Sequence, residues 1–318
     1  MTATPRTAPL LVGAVCLFAI GAFAGDDPQV AIAVRARPAP VRPDFRIQSD
    51  LVLIPVTVTD SKNHAVTGLG AGDFRIFEDK REQTLVQFAS EDAPLSVGIV
   101  FDASNSMTGK LDKSREAIQQ FLRFANPDDE FFLVEFNTKP HLTVPFTDDI
   151  GDVQNRLLMV QPKGTTALLD AVCLAMDNLK RARNSRRALL ILSDGGDNHS
   201  RYSEAETRSR VRESDLWIYA MGIYEPRVGF RSDVPTAGEK LLRGLAEDSG
   251  GRHFAVMNLA DLPAVAARIS LELRNQYILG YRPANPHRDS KYHTVRVNVI
   301  AGRDLNVAWR PGYYGTWE

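Results

Sequence analysis

Two rhythms of apolar and polar residues divide this chain of 318 residues. Val56-Thr57-Val58-Thr59, Phe74-Arg75-Ile76-Phe77-Glu78 and Thr84-Leu85-Val86-Gln87-Phe88 alternate with the two-residue period of half-buried strands. Residues 60–64 and Asp79-Lys80 supply polar turns between them, and no helical spacing intervenes. From Leu95 the pattern changes. Leu95-Ser96-Val97-Gly98-Ile99-Val100 and Ala188-Leu189-Leu190-Ile191-Leu192 are continuous apolar runs, the mark of strands buried on both faces. Phe131-Phe132-Leu133-Val134, Leu216-Trp217-Ile218-Tyr219-Ala220-Met221 and His253-Phe254-Ala255-Val256 predict further strands. Between them, Ile118, Phe121, Leu122 and Ala125 recur at helical spacing, as do Leu157, Leu158 and Val160, and then Leu168, Val172, Ala175, Met176 and Leu179. Two more helices are expected near 238–248 and 260–274. After Arg274 the alternation returns in Tyr277-Ile278-Leu279-Gly280-Tyr281, in Thr294-Val295-Arg296-Val297-Asn298-Val299, and at Leu305, Val307 and Trp309.

Strand and helix in turn over 93–274 predict an α/β domain, doubly wound, with a mainly parallel sheet covered by helices on both faces. Neither β-rich flank is long enough to stand alone. Residues 45–92 and 275–318 are therefore expected to pair into one small sheet module, with the α/β domain inserted between its halves.

The first 44 residues fit neither rhythm. Arg6, a largely apolar stretch from Pro9 to Phe23 and the small residues Ala22 and Ala24 around Phe23 resemble an export signal over 1–24. The apolar stretch is about 15 residues against the ~20 of a bilayer span, with an uncleaved anchor as the alternative. Residues 25–44, rich in Ala, Pro and Arg, read as a tether. The chain is expected to be exported, periplasmic or secreted, with no transmembrane span once the signal is removed. Cys173 is then its sole cysteine, leaving no intrachain disulfide, and its helical setting predicts a buried, inert thiol. Basic and acidic residues nearly balance, 38 against 39, which gives no reason to expect nucleic acid as a partner.

Composition excludes more than it assigns; the chemistry lies in three loops. Phe101-Asp102-Ala103-Ser104-Asn105-Ser106 follows the first buried strand, and its carboxylate and two hydroxyls at alternate positions offer three hard oxygens to one small space. Such oxygens suit Mg²⁺ or a similar hard divalent ion. Gly164-Thr165-Thr166-Ala167-Leu168 is a glycine turn with hydroxyls before a helix, and Ser193-Asp194-Gly195-Gly196-Asp197 follows the most apolar strand. Singly, each loop reads as a helix cap or a turn. Together, at the carboxyl ends of strands in an open α/β sheet, they lie where such folds bind ligands.

Asp102-x-Ser104-x-Ser106, then Gly-Thr-Thr-Ala-Leu, then Leu-Ser-Asp-Gly resemble the von Willebrand factor A domain and its metal-ion-dependent adhesion site. The resemblance implies that Ser104, Ser106 and Thr166 are hydroxyl ligands, that Asp102 and Asp194 hold the ion directly or through water, and that a partner's carboxylate completes the octahedron. It implies Mg²⁺, with Mn²⁺ or Ca²⁺ as alternatives. Thr166 is preferred to Thr165 because the family pattern is Gly-Gly-Thr-Ala-Leu, in which Thr165 stands at the second Gly. The flanks resemble a bacterial exported subgroup through Val66-Thr67-x-Leu69-x-x-x-Asp73-Phe74-x-x-x-Glu78-Asp79, Gln276-Tyr277-x-Leu279-Gly280-Tyr281 and Gly312-Tyr313-Tyr314. That subgroup has Gly where Asn63 and Lys80 stand; Asn accepts left-handed turn geometry more easily than Lys.

The resulting expectation is a non-catalytic binding protein that captures an acidic group of a protein or envelope component. A structural role, in which the ion only stabilises the fold, is the alternative. A metal-dependent phosphotransferase would also place an Asp after a strand, but it needs a second acid two positions later, where this chain has Ser104. No Gly-x-Ser-x-Gly elbow stands at a strand end, and the six histidines lack metal-ligand spacing.

Overall fold

A computed structural model describes residues 51–90, 92–224, 235–283, 289–302 and 304–315. The expected export signal over 1–24 and the tether over 25–44 lie outside the described residues. The described chain begins with strands β1 (Val52–Thr59), β2 (Phe74–Glu78), β3 (Arg81–Gln83) and β4 (Leu85–Ala89). The α/β segment follows as β5 (Leu95–Asp102), α1 (Leu111–Leu122), β6 (Glu130–Phe136), β7 (Pro140–Thr147), α2 (Ile150–Leu158), α3 (Leu168–Leu179) and β8 (Arg186–Ser193). It continues with α4 (Glu204–Glu213), β9 (Trp217–Ile223), α5 (Ala237–Ser249), β10 (Arg252–Val256) and α6 (Leu262–Arg274). Strands β11 (Tyr277–Tyr281), β12 (Tyr292–Val299), β13 (Asn306–Trp309) and β14 (Gly312–Tyr314) close the chain.

The central sheet has the order β10-β9-β8-β5-β6-β7, parallel throughout except for β7, which folds back antiparallel on β6. Its inner strands are buried along nearly their whole length because successive side chains serve opposite cores. Val97, Ile99 and Phe101 pack with α1, α2 and α6, whereas Val100 packs with α3 and α5. The sheet is doubly wound, as the alternation predicts.

Strands from both ends of the chain also pair, but in two sheets rather than one. The orders are β13-β1-β11-β4 and β14-β12-β2-β3, each antiparallel. Ile54, Val56, Val58, Phe74, Ile76, Tyr277, Leu279, Tyr281, Val295 and Val297 form the core that the sheets share. The switch between sheets falls at Thr84, between β3 and β4; the strand expected over Thr84–Phe88 is β4, and β3 is an additional short strand before it. Asp79 and Lys80 turn β2 into β3 with φ of 45° and 71°, and Asn63 also has positive φ at 61°. Two consecutive left-handed residues are the geometry of a two-residue hairpin turn. Lys80 thus takes the conformation that favours Gly.

The two parts meet along a polar seam. Glu272 of α6 has a fully buried side chain and accepts from Arg252 at 2.6 Å; Arg252 also donates to Asn63 Oδ1 at 2.7 Å. Burial pushes the Glu272 carboxyl above the usual range, opposed by Arg252. Buried Arg186 donates to the carbonyls of Ala93 and Leu273. Cys173 is buried, as expected, and burial raises its thiol pKa. Among the described residues no helix is long and apolar enough to cross a membrane.

Candidate metal centre

Strands β5 and β8 run side by side and parallel, with Phe101 opposite Leu192, so Asp102 and Ser193 leave the same end of the sheet. The carboxylate of Asp102 is wholly buried there. Its Oδ1 accepts from the Ser104 amide at 2.9 Å and its Oδ2 from the Ser193 hydroxyl at 2.6 Å. Desolvation pushes its pKa up to about 6; the hydrogen bonds from Ser104 and Ser193 oppose the shift, and the charge of Asp194 adds to it. Among the described residues no cationic side chain pairs with it. The structure therefore holds a buried anion supported only by neutral donors, which is costly unless a cation joins it.

The hydroxyls of Ser104 and Ser106 meet at 2.9 Å beside this carboxylate. A short 3₁₀ turn over Asn105–Met107 curls the loop so that alternate residues face one side. The loop is held from below: Ala103 donates to the Phe136 carbonyl at 2.7 Å, and Asn105 to the Gly164 carbonyl at 3.1 Å.

Thr166 and Asp194 arrive on the other two loops. Gly164 has φ +76°, and a Cβ there would stand 2.4 Å from Thr138 Oγ1. The two threonines diverge. Thr165 is exposed, and its hydroxyl donates to Thr138 at 3.2 Å, away from Asp102. Thr166 is buried, its amide donating to Asn198 Oδ1 and its carbonyl accepting from the amides of Asn198 and His199, each at 3.0 Å. Asp197 caps α3 from outside by accepting from the Leu168 amide at 2.9 Å. These bonds lace the second loop to the third.

In the third loop Gly195 has φ +78°, and a Cβ would stand 2.4 Å from the Gly238 carbonyl oxygen at the start of α5. Only glycine fits both demands. Asp194 Oδ2 lies 3.7 Å from the ammonium of Lys110, itself largely buried just before α1. Ser193 and Lys110 carry no role in the sequence reading. Ser193 stood in view as the last residue of an apolar strand, beside Asp194. Nothing local in the sequence points to Lys110, because its placement depends on a contact across 84 positions.

All five expected residues thus stand on the three loops at one end of the sheet, with Asp102, Ser104 and Ser106 in one hydrogen-bonded unit and Asp194 within electrostatic reach. The donors are hard oxygens, three hydroxyls and two carboxylates, and that chemistry suits a hard divalent ion. Among the described residues no three His, Cys, Asp or Glu side chains gather, so an ion here relies on hydroxyls.

Residues 97–196, which include Asp102, Ser104, Ser106, Thr166 and Asp194, match the family model described as von Willebrand factor type A domain. The chain is similar to human inter-alpha-trypsin inhibitor heavy chain H4, 28% identical over 171 residues, which is 50% of this chain and 18% of that protein. The bovine heavy chain H4 is 26% identical over 231 residues, or 68% of this chain and 24% of its own length. The matches thus span about a fifth to a quarter of these relatives. Among solved structures, a von Willebrand factor type A protein from Catenulispora acidiphila superposes with a TM-score of 0.50 at 13% identity, covering 83% of this chain and 73% of its own. Residues 97–196 are thus a von Willebrand factor type A domain within this chain, and the fold is that of the solved relative.

Proposed function

We propose that this protein is an exported, non-catalytic binding module that holds Mg²⁺ through Asp102, Ser104, Ser106, Thr166 and Asp194 and uses it to capture an acidic group of a protein or envelope partner. The observation that carries this reading is the donor set, in which hydroxyls outnumber carboxylates around one buried Asp. An ion held in this way keeps much of its positive charge and directs it at an incoming carboxylate. Asp102 supplies charge from below. Ser104 and Ser106 turn their hydroxyls to the same side, and Ser193 fixes the orientation of the Asp102 carboxylate. The burial of Thr166, and the engagement of Thr165 with Thr138, favour Thr166 as the fifth ligand. Lys110 gives Asp194 a counter-charge that an entering cation must displace or tolerate, which tempers affinity for the ion.

Ser104 also speaks against phosphotransfer. Where that chemistry places a general acid two residues after the Asp, this loop presents a hydroxyl bonded to Ser106. The test is capture of a partner from envelope extract in Mg²⁺ and in chelator, with wild type and Asp102→Ala. Capture that needs both Mg²⁺ and Asp102, with little change in melting temperature, supports recognition. Equal capture under all conditions, or turnover of a phosphomonoester that Asp102→Ala abolishes, contradicts it. A large loss of stability in Asp102→Ala with no effect on capture favours the structural role of the ion.

A further inference from the structure

Beside the three loops lies a cleft of about 310 Å³ between the β6–β7 hairpin and the loop that follows α2. Its titratable lining is Lys139, Lys163, His141, Arg156 and Glu135. Glu135 is largely buried and already satisfied: Arg156 donates to both of its oxygens, at 2.5 and 2.8 Å, and Thr143 donates to Oε1 at 2.8 Å. The acid and the guanidinium therefore cancel. Lys139 and Lys163 are exposed, and among the described residues neither pairs with a carboxylate. The lining has a net positive charge, with the Thr138 hydroxyl and the Asn137 amide adding polar groups at the same mouth.

The cleft and the candidate ion site share a wall. Asp102 lies opposite Phe136 in the sheet register, so Asn137, Thr138 and Lys139 emerge at the same end as the metal loops. Lys163 donates its amide to the Ala103 carbonyl at 2.9 Å, and Thr138 Oγ1 accepts from the Thr165 amide at 3.2 Å. The segment from Lys163 to Thr165 thus has the Asp102 loop on one side and the basic cleft on the other. A chain that places one carboxylate at the ion passes over this wall within reach of two lysines.

We infer that the cleft binds a second acidic group of the same partner, so the ligand is an acidic segment with several carboxylates rather than one isolated Asp or Glu. This rests on the ion site being the place where the first carboxylate docks. The lysines are solvated and each contributes modestly, but two acting together bias both affinity and orientation.

Two labelled synthetic peptides test the inference by fluorescence polarisation: one with a single Glu in a Gly/Ser background, and a counterpart with Glu at alternate positions. In Mg²⁺, wild type should bind the alternating peptide more tightly, and the double variant Lys139→Gln/Lys163→Gln should weaken that peptide about tenfold. The single-Glu peptide should bind both proteins equally. Both lysines are exposed, so the double variant should melt with the wild type. Equal weakening of both peptides, no weakening of either, or no binding of the alternating peptide overturns the inference. Failure of the underlying ion-site reading looks different: Asp102→Ala and chelator would then leave the single-Glu affinity of the wild type unchanged.

Discussion

Replacing Asp102 by Asn removes a charge but keeps the shape of the side chain, and in the absence of metal it should stabilise the protein near neutral pH. The folded carboxyl has its pKa pushed up to about 6 by burial, against 3.8 for the free group. Between these values the folded state binds more protons than the unfolded one, so the contribution of Asp102 is fully present below pH 3.8 and is lost as pH rises through 6. A shift of roughly two units corresponds to about 3 kcal/mol at neutral pH. The amide keeps an acceptor for the Ser104 N–H, and its NH₂ faces Ser193 Oγ, which already accepts from the Gly195 amide at 3.0 Å and has a further lone pair. The rearrangement leaves a net gain of about 1–3 kcal/mol, a rise of roughly 2–10 °C in melting temperature for a domain of this size. The assay is thermal unfolding by circular dichroism, in excess chelator, across pH 4–8 for both proteins. Their melting temperatures should converge at the acid end and separate as pH rises, with the variant the more stable. Added Mg²⁺ should raise the wild type and leave the variant unmoved. If the variant melts below wild type by the same margin at every pH in chelator, Asp102 is a structural hydrogen-bond acceptor and not an anion held for a cation.

Three further substitutions probe the neighbourhood. Lys110→Met keeps the buried stem but removes a positive charge 3.7 Å from Asp194, and Mg²⁺ affinity by calorimetry should rise about tenfold or more; an unchanged or lower affinity would show that the ammonium does not oppose the ion. Gly195→Ala puts a Cβ 2.4 Å from the Gly238 carbonyl at a φ of +78°, so it should cost more than about 3 kcal/mol in denaturant unfolding and blunt the Mg²⁺-induced rise in melting temperature. Lys80→Gly relieves a left-handed lysine at φ 71° in the β2–β3 hairpin turn and should stabilise the protein by about 1 kcal/mol, leaving Mg²⁺ binding unaltered; destabilisation would mean that the Lys80 side chain is needed there.

The fold was legible where burial was two-sided. Strands β5 and β8 carry long runs of buried, mainly apolar residues because cores lie on both faces, and no surface helix produces such a run. Strand β7 was hidden: it begins at Pro140, contains Pro145, and is half-buried or exposed at the sheet edge except for Val144, so neither alternation nor a continuous run survives. Helix α4 was hidden for a related reason. It buries only Thr207 and Val211, and its one local signal is the capping box of Ser203 with Glu206. The β flanks showed their longer strands, but not the short β3 and β14 or the division into two sheets, since the crossing at Thr84 depends on partners far away in sequence.

At the site, the Asp102 loop stood out because three oxygen-bearing side chains fall at alternate positions within five residues. Thr166 and Asp194 needed the family pattern, for hydroxyls before helices and Asp-Gly turns are common in their own right. Which threonine turns inward was legible only in the structure, where Thr138 draws the Thr165 hydroxyl away. Ser193 and Lys110 act through contacts spanning 91 and 84 positions, which no local pattern carries.

Whether the hydroxyl pair at the head of the first loop holds a divalent ion is open to direct measurement. Calorimetric titration of Mg²⁺ into wild type should show a single ion bound per chain. Ser104→Ala/Ser106→Ala, which leaves both carboxylates and the Lys110 contact in place, should lose more than about 100-fold in affinity, since even groups that only support metal ligands are worth 10- to 100-fold. Equal Mg²⁺ affinity in the two proteins, or no binding to wild type at all, would contradict the hydroxyl-based ion site on which the capture of an acidic partner depends.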